Sequence, residues 1–328
     1  MVEGFSHRSE FTLAQGGDIT QGNSLTTGLD WGFKQLTRLC SLGVVIILGW
    51  IAWVVFADAR PAIAKFGWEF VINQEWDSGE QVFGGLPYIL GSVVSSLIGL
   101  VFALPLGLAV AIMTSENLLP SVVRVPIAFL VELIASIPSV IVGLWGIFVF
   151  IPVLMPFQVA LFEYFGWLPI FGTEPFGPSM LVAGLVLAVM IIPTIASISR
   201  DILLSVPPSL RSASMALGAT RWETICLIIL PSASSGIIGA TILALGRALG
   251  ETMAVTMVIG NSNIISASLL APGYTIPSVL ANQFAEAVDE LHIGALMYLA
   301  LILFVITLGI NSLAVLMVET IRRQGESN

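Results

Sequence analysis

Six apolar runs, at residues 39–57, 86–114, 125–153, 180–199, 234–259 and 293–318, constrain this chain more than any other feature. A hydrocarbon layer about 30 Å thick is crossed by roughly 20 apolar residues in helical form. In that solvent each backbone N–H and C=O must find a partner within the protein. The expected fold is therefore all-α and transmembrane, with about six spanning helices. Residues 224–260 would make a helix of about 55 Å, too long for one upright span. They divide into an interfacial shoulder at 222–230, a bend at Pro231 and a span at 234–259. Composition agrees, since 56% of residues are hydrophobic and only 10% charged, more apolar surface than a soluble domain can hide. A net charge of −9 argues against a nucleic-acid partner. Cys40 and Cys226 fall at inner membrane edges, where thiols stay reduced; two thiols make no metal site, and both read as small apolar filler.

The basic residues set the orientation. Arg8, Lys34 and Arg38 precede the first run, and Arg124 separates the second and third. Arg200, Arg211 and Arg221 lie between the fourth and fifth, and Arg322 with Arg323 follows the sixth. These are nine of the twelve lysines and arginines, all on one side, against Arg60 and Lys65 on the other. By the positive-inside rule both termini are cytoplasmic. The outward segments 58–85, 154–179 and 261–292 are acidic or neutral and read as solvated faces. Residues 1–30 are rich in Gly, Ser, Thr and Gln without apolar periodicity, so a flexible tail extending to about residue 35 is expected. The first apolar run starts too late for a cleaved signal and reads as an uncleaved anchor.

Arg247 is the twelfth basic residue, and it stands inside the fifth run, four residues before Glu251. A charge at membrane depth is costly, which makes it a functional-site hypothesis. A guanidinium also has the fork geometry that holds a tetrahedral oxyanion through paired hydrogen bonds. At i and i+4 the two side chains share one helical face. They then form either an ion pair holding span five to a neighbour or a substrate contact with Thr252 beside it. Weaker candidates are Ser136, Ser139 and Thr194, hydroxyls beside Pro138 and Pro193 that can satisfy a freed backbone carbonyl or line an anion path. Glu132, near the inner end of span three, reads as the partner of Arg124 or of another subunit, and His292 as a residue at the outer membrane edge.

The longest inward loop, 205–223, carries the second signal. Pro207 and Pro208 suit the first turn of a helix, where a missing N–H removes no bond. Residues 209–217 place Leu210, Ala213 and Leu217 on one face, and Gly218 follows where positive φ is wanted. Thr220-x-x-Glu223 has the form of a capping box opening a second helix.

This loop resembles the coupling motif of ABC importer permeases: E-A-A, three residues, Gly, nine residues, then I-x-L-P. Gly218 and Ile228-Ile229-Leu230-Pro231 stand at the matching offsets, while Ser212-Ala213-Ser214 keeps only the middle Ala. Phe83-Gly84-Gly85-Leu86-Pro87, Ala135-Ser136-Ile137-Pro138-Ser139 with Gly143 and Trp145, and Gly246-Arg247-Ala248-Leu249-Gly250-Glu251-Thr252 extend the likeness. Together they resemble the PstC family of phosphate importer permease subunits. The resemblance implies a type I ABC importer permease fold with a cytoplasmic coupling helix, in which Ala213, Leu217, Gly218 and Ala219 touch an ATPase. It implies that Arg247, Glu251 and Thr252, with Ser139 and Thr194, line a phosphate pathway. The implied partners are a PstA-like second permease, two PstB-like ATPases and a PstS-like phosphate-binding protein outside.

The expected organisation is a tail at 1–35, a first anchor and outer loop at 36–85, a permease core at 86–323 and a C-terminal tail at 324–328. Neither lysine, Lys34 or Lys65, sits in a P-loop, so ATP must act through a partner and no cofactor is expected. No stretch of the sequence matches an HExxH motif, paired aspartates or a serine elbow, so no intramembrane protease is indicated. Two rivals stay open. One is a permease for molybdate or sulfate; the other is a secondary transporter driven by an ion gradient.

Overall fold

The computed structural model describes residues 24–116 and 118–327 of the chain. Among these residues six helices are long and apolar enough to cross a membrane: Trp31–Phe66, Leu86–Ser115, Ser139–Phe165, Met180–Ser205, Arg221–Leu249 and Glu290–Thr320. The first belongs to α1, Ser24–Phe66, so residues 24–35 of the expected tail are helical and residues 1–23 lie outside the described residues. The part of α1 up to Val54 forms one unit and the remaining chain another. In that first unit large apolar side chains are bare, Leu39 and Trp50 being about two-thirds exposed, which suits lipid and not water.

In the second unit, α2 (Glu69–Ile72) leads into a two-stranded antiparallel hairpin, β1 (Trp76–Asp77) and β2 (Val82–Phe83), with Trp76 opposite Phe83. The second span, α3 (Leu86–Ser115), carries a small buried residue every fourth position: Gly91, Ser95, Gly99, Ala103, Gly107 and Ala111. Four-residue spacing keeps them on one stripe, and small side chains let two backbones approach closely where water supplies no driving force. Gly91 meets the backbone of Tyr274, and further along the stripe Gly99 and Gly107 face the fourth span, Met180–Ser205. A Cβ built on Gly107 would stand 2.9 Å from the Ile195 Cβ of that span, so no larger residue fits without movement.

The expected third span, 125–153, proves to be two separate pieces. Residues 121–135 form a distinct helix, α4 (Ser121–Ala135), with no buried residue, and the chain breaks at 136–138. The span itself is α5 (Ser139–Trp145), one π turn at Gly146–Phe150 and α6 (Ile151–Phe165). Proline disfavours helical conformation in the residue before it, so Pro138 both ends α4 and starts α5. The span therefore begins and ends later than expected, and residues 154–165 are helix instead of outer loop.

The fourth span is α7 (Met180–Ser205), capped by the Ser179 hydroxyl on the Val182 amide. The coupling loop follows as α8 (Pro208–Ala216) and α9 (Arg221–Thr224). The helix then continues through a π turn at Ile225–Ile229 into α10 (Leu230–Leu249), so Pro231 makes no interruption. Pro231 lacks the N–H that an α-helix would aim at the Leu227 carbonyl, and its ring would crowd that carbonyl. The wider π turn immediately before it removes the conflict. Pro152 follows the other π turn in the same way. The span 221–249 is thus continuous but ends ten residues short of the expected 259. After a break at 250–252 come α11 (Met253–Val258), α12 (Ile276–Gln283) and the last span, α13 (Glu290–Ser327).

Three clusters of buried side chains hold the second unit. Ala111, Ile112, Leu203, Val206, Ile225 and Ile229 meet beside the coupling loop. A central cluster joins Ala103 and Leu187 to Ala244, Ala248, Val255 and Val258. At the opposite end Phe70, Phe83, Tyr88, Tyr274 and Leu296 meet. There the buried His292 stacks on Phe83 at 5.2 Å, inside an aromatic cluster.

Candidate functional site

Arg247 occupies the last turn of α10, where a positive charge is favoured by the negative end of the helix dipole. Its helical neighbours Ala244 and Ala248 are buried in the central cluster, while Arg247 itself is exposed. The guanidinium Nη1 donates to the Thr194 hydroxyl at 3.1 Å. Thr194 lies fourteen residues from the Met180 end of α7 and eleven from the Ser205 end. At about 1.5 Å per residue that is some 21 and 16 Å, close to the middle of the span. The arginine head is therefore held at mid-span depth, on a surface that the described residues leave exposed.

A cavity of about 250 Å³ opens beside it, walled by Ile134, Ile137, Ile141, Val142, Trp145, Val189 and Met190. Among the described residues Arg247 is the one charged group on that wall. Such a site would bind an anion through one cation while its apolar wall keeps the local dielectric low.

Glu251 does not share a helical face with Arg247, because α10 ends at Leu249. Gly250 caps the helix at φ −91° and ψ −2°, and the chain turns through Glu251 and Thr252 before α11. The Glu251 carboxylate accepts the Ala254 amide at 3.3 Å, fixing the start of the next helix. Among the described residues no ion pair joins Arg247 to Glu251. Thr252 lies within the break: its hydroxyl donates to the Gly250 carbonyl at 3.3 Å, and its own carbonyl accepts the Thr256 hydroxyl at 2.7 Å. The site thus sits at a discontinuity in a spanning helix, where irregular backbone is tolerated only beside protein or a watery cavity.

Thr194 meets Arg247, whereas Ser139 opens α5 one turn before Val142 and is not itself on the cavity wall. The Ser136 hydroxyl donates to the Glu132 carbonyl at 3.0 Å, a local backbone role. Glu132 is exposed on α4 and faces a small cleft with Arg200 and Thr114.

The coupling loop has the local geometry its sequence dictates. Gly218 takes φ +91°, which a side-chain-bearing residue rarely adopts. The Ala219 amide reaches back to the Ser214 carbonyl at 3.2 Å and the Gly218 amide to the Met215 carbonyl at 3.0 Å, the paired bonds of a Schellman turn. Thr220 and Glu223 form the reciprocal capping box. Leu217 is 90% exposed, and Ala213, Gly218 and Trp222 are exposed with it. Ala219 is half-buried.

Sequence reasoning missed the residue that anchors this loop. The Arg211 guanidinium forms a 2.8 Å ion pair with Glu116 and donates to the carbonyls of Leu203 and Val206 at 2.8 and 2.6 Å. Glu116 lies ninety-five positions away, so no local pattern pairs them.

Residues 103–323 match the family of binding-protein-dependent transport system inner membrane components. The chain is 42% identical over 287 residues to a phosphate transport system permease protein PstC of Mesorhizobium japonicum, covering 86% of this chain and 88% of that one. It is 41% identical to the PstC protein of Haemophilus influenzae, covering 89% and 93% of the two chains. Among solved structures, a bacterial alginate ABC transporter bound to its periplasmic protein shares the fold at TM-score 0.58 and 16% identity, covering 87% of this chain and 94% of that one. Six spanning helices, a capped coupling loop and this extent of identity lead to one assignment: the chain belongs to the PstC family of phosphate transport system permeases.

Proposed function

We propose that this chain is one of two permease subunits of an ATP-driven importer that carries inorganic phosphate into the cytoplasm. One observation carries the reading. A guanidinium stands at mid-span depth, hydrogen-bonded to Thr194 and exposed on the isolated chain. Facing lipid it would be costly, whereas facing a passage shared with a second permease it would serve a purpose. Arg247 then supplies the charge that draws the oxyanion out of water. Glu251, at the helix break, accepts a hydrogen bond from a protonated phosphate oxygen, a proton that sulfate lacks at neutral pH. Thr252 and Thr194 border the same passage, with Ser139 further off.

Both termini and the coupling loop are cytoplasmic in this reading, which the distribution of basic residues supports. The partners are a PstA-like permease, two PstB-like ATPases that hydrolyse ATP, and a PstS-like binding protein that delivers phosphate. Ala213, Leu217, Gly218 and Ala219 present the contact to an ATPase. Closure of the ATPases on ATP displaces this loop, and alternating access moves Arg247 from one side's solvent to the other's.

The test is uptake of labelled phosphate by the reconstituted complex, with and without ATP, against excess sulfate or molybdate. ATP-dependent uptake that neither competitor suppresses is expected. Stronger suppression by molybdate or sulfate than by unlabelled phosphate would assign another oxyanion. Uptake by this chain alone, driven by an ion gradient, would overturn the importer reading.

A further inference from the structure

Between α7 and α8 the chain runs through two extended residues, Val206 at ψ 127° and Pro207 at ψ 133°. Two such residues between helices make a hinge, about which α8 would otherwise swing. Arg211 spans the hinge. Its Nη1 and Nη2 hold the Val206 and Leu203 carbonyls at the end of α7, while Nη2 and Nε hold both Glu116 oxygens at 2.8 and 3.4 Å. The pair is largely shielded, with 20% of the Arg211 side chain and 12% of the Glu116 side chain exposed. Glu116 caps the C-terminal end of α3, where the helix dipole disfavours an anion, so the carboxylate does nothing for α3 by itself. The ion pair with Arg211 accounts for its placement.

α3 and α7 are locked together by the small-residue stripe, so a group fixed to both ends is fixed to one block. On its other side α8 is tied to the fifth span by the Gly218 turn and by the Ser214–Thr224 hydroxyl contact at 3.0 Å. That span carries Arg247, and α7 carries its partner Thr194. We propose that Arg211 is a positioning residue for coupling: with Glu116 it makes the coupling helix rigid with the α3–α7 block, so that a push on the loop moves the spans instead of bending the hinge. This rests on the importer reading above. It adds the mechanical element that sets how much phosphate moves for each ATP hydrolysed.

The experiment uses the whole complex, with both permeases, the ATPases and the binding protein in liposomes, and measures phosphate uptake and ATP hydrolysis in one sample. Arg211→Gln is expected to lower uptake per ATP by about tenfold, and Glu116→Gln by roughly threefold since the two carbonyl bonds remain. Arg211→Lys, which keeps the charge but loses the fork, should fall between wild type and Arg211→Gln. The double variant Arg211→Gln with Glu116→Gln should be no worse than Arg211→Gln alone, because both act through one link. If Arg211→Gln does not assemble, Glu116→Gln carries the test. An unchanged uptake-to-hydrolysis ratio in Glu116→Gln would overturn the proposal. So would losses of both activities in strict proportion to the amount of complex assembled, since that marks a purely structural anchor. A wild-type complex that couples no phosphate uptake to ATP would instead sink the functional reading on which this rests.

Discussion

Arg247 and Thr194 stand fifty-three positions apart in the chain and meet at 3.1 Å. That contact, more than the charge alone, gives the arginine a fixed direction. A hydroxyl that accepts from one nitrogen of the guanidinium leaves the remaining N–H groups for a ligand. Glu251 is freed from pairing with Arg247 by the helix break, and its bond to the Ala254 amide holds the carboxylate in place. In the proposed passage that charge repels a fully ionised anion and accepts a proton-bearing one. Glu251→Gln should therefore weaken discrimination, raising the potency of sulfate as an inhibitor of phosphate uptake by about tenfold, equivalent to roughly 1.4 kcal/mol. Unaltered potency in a competition assay would remove Glu251 from selectivity. Arg247 is legible in the sequence as a lone charge in an apolar run. Thr194 is legible only as a hydroxyl beside a proline, since nothing local says which helix it faces. The Arg211–Glu116 pair is invisible for the same reason.

Apolar length marks the helices, and it misleads in two ways. It understates a helix that continues into polar ends, as α1 and α13 do. It also runs across breaks when both sides are apolar. α4 and α5 merge for that reason although Pro138 marks the gap, and α10 merges with α11 although Gly250 marks it. Pro231 misleads in the opposite direction, because a π turn absorbs what a regular helix could not. The turn and the cap of the coupling loop are legible, since glycine at positive φ and a capping box are local devices, while its anchor at Arg211 is not. The α3–α7 stripe is in the sequence as a four-residue repeat of small residues, and its meaning needs the partner helix. Gly107→Leu should force α3 from Ile195 and destabilise the fold by about 1–3 kcal/mol, read as a lower melting temperature of the purified complex. Gly309→Leu serves as the neutral control, because a Cβ added there meets nothing within 4 Å. Equal effects of the two would show that close packing of α3 on α7 is not what Gly107 provides.

At the scale of the molecule, a loop at one end of the spans is joined to an arginine at their middle. The orientation this requires can be measured directly. In a background with Cys40→Ser and Cys226→Ser, Leu217→Cys should react with a membrane-impermeant thiol reagent only from the cytoplasmic face. Gly79→Cys, in the β1–β2 turn, should react only from outside. The reverse pattern would invert the positive-inside reading. The most direct test of the central claim is ATP-driven phosphate uptake by the fully assembled complex carrying Arg247→Gln. Losing a charged hydrogen-bonding group worth about 1.5–3 kcal/mol predicts uptake reduced by at least about tenfold, with subunit composition unchanged. Wild-type uptake by that assembled variant would contradict the account, because phosphate would then cross without the guanidinium.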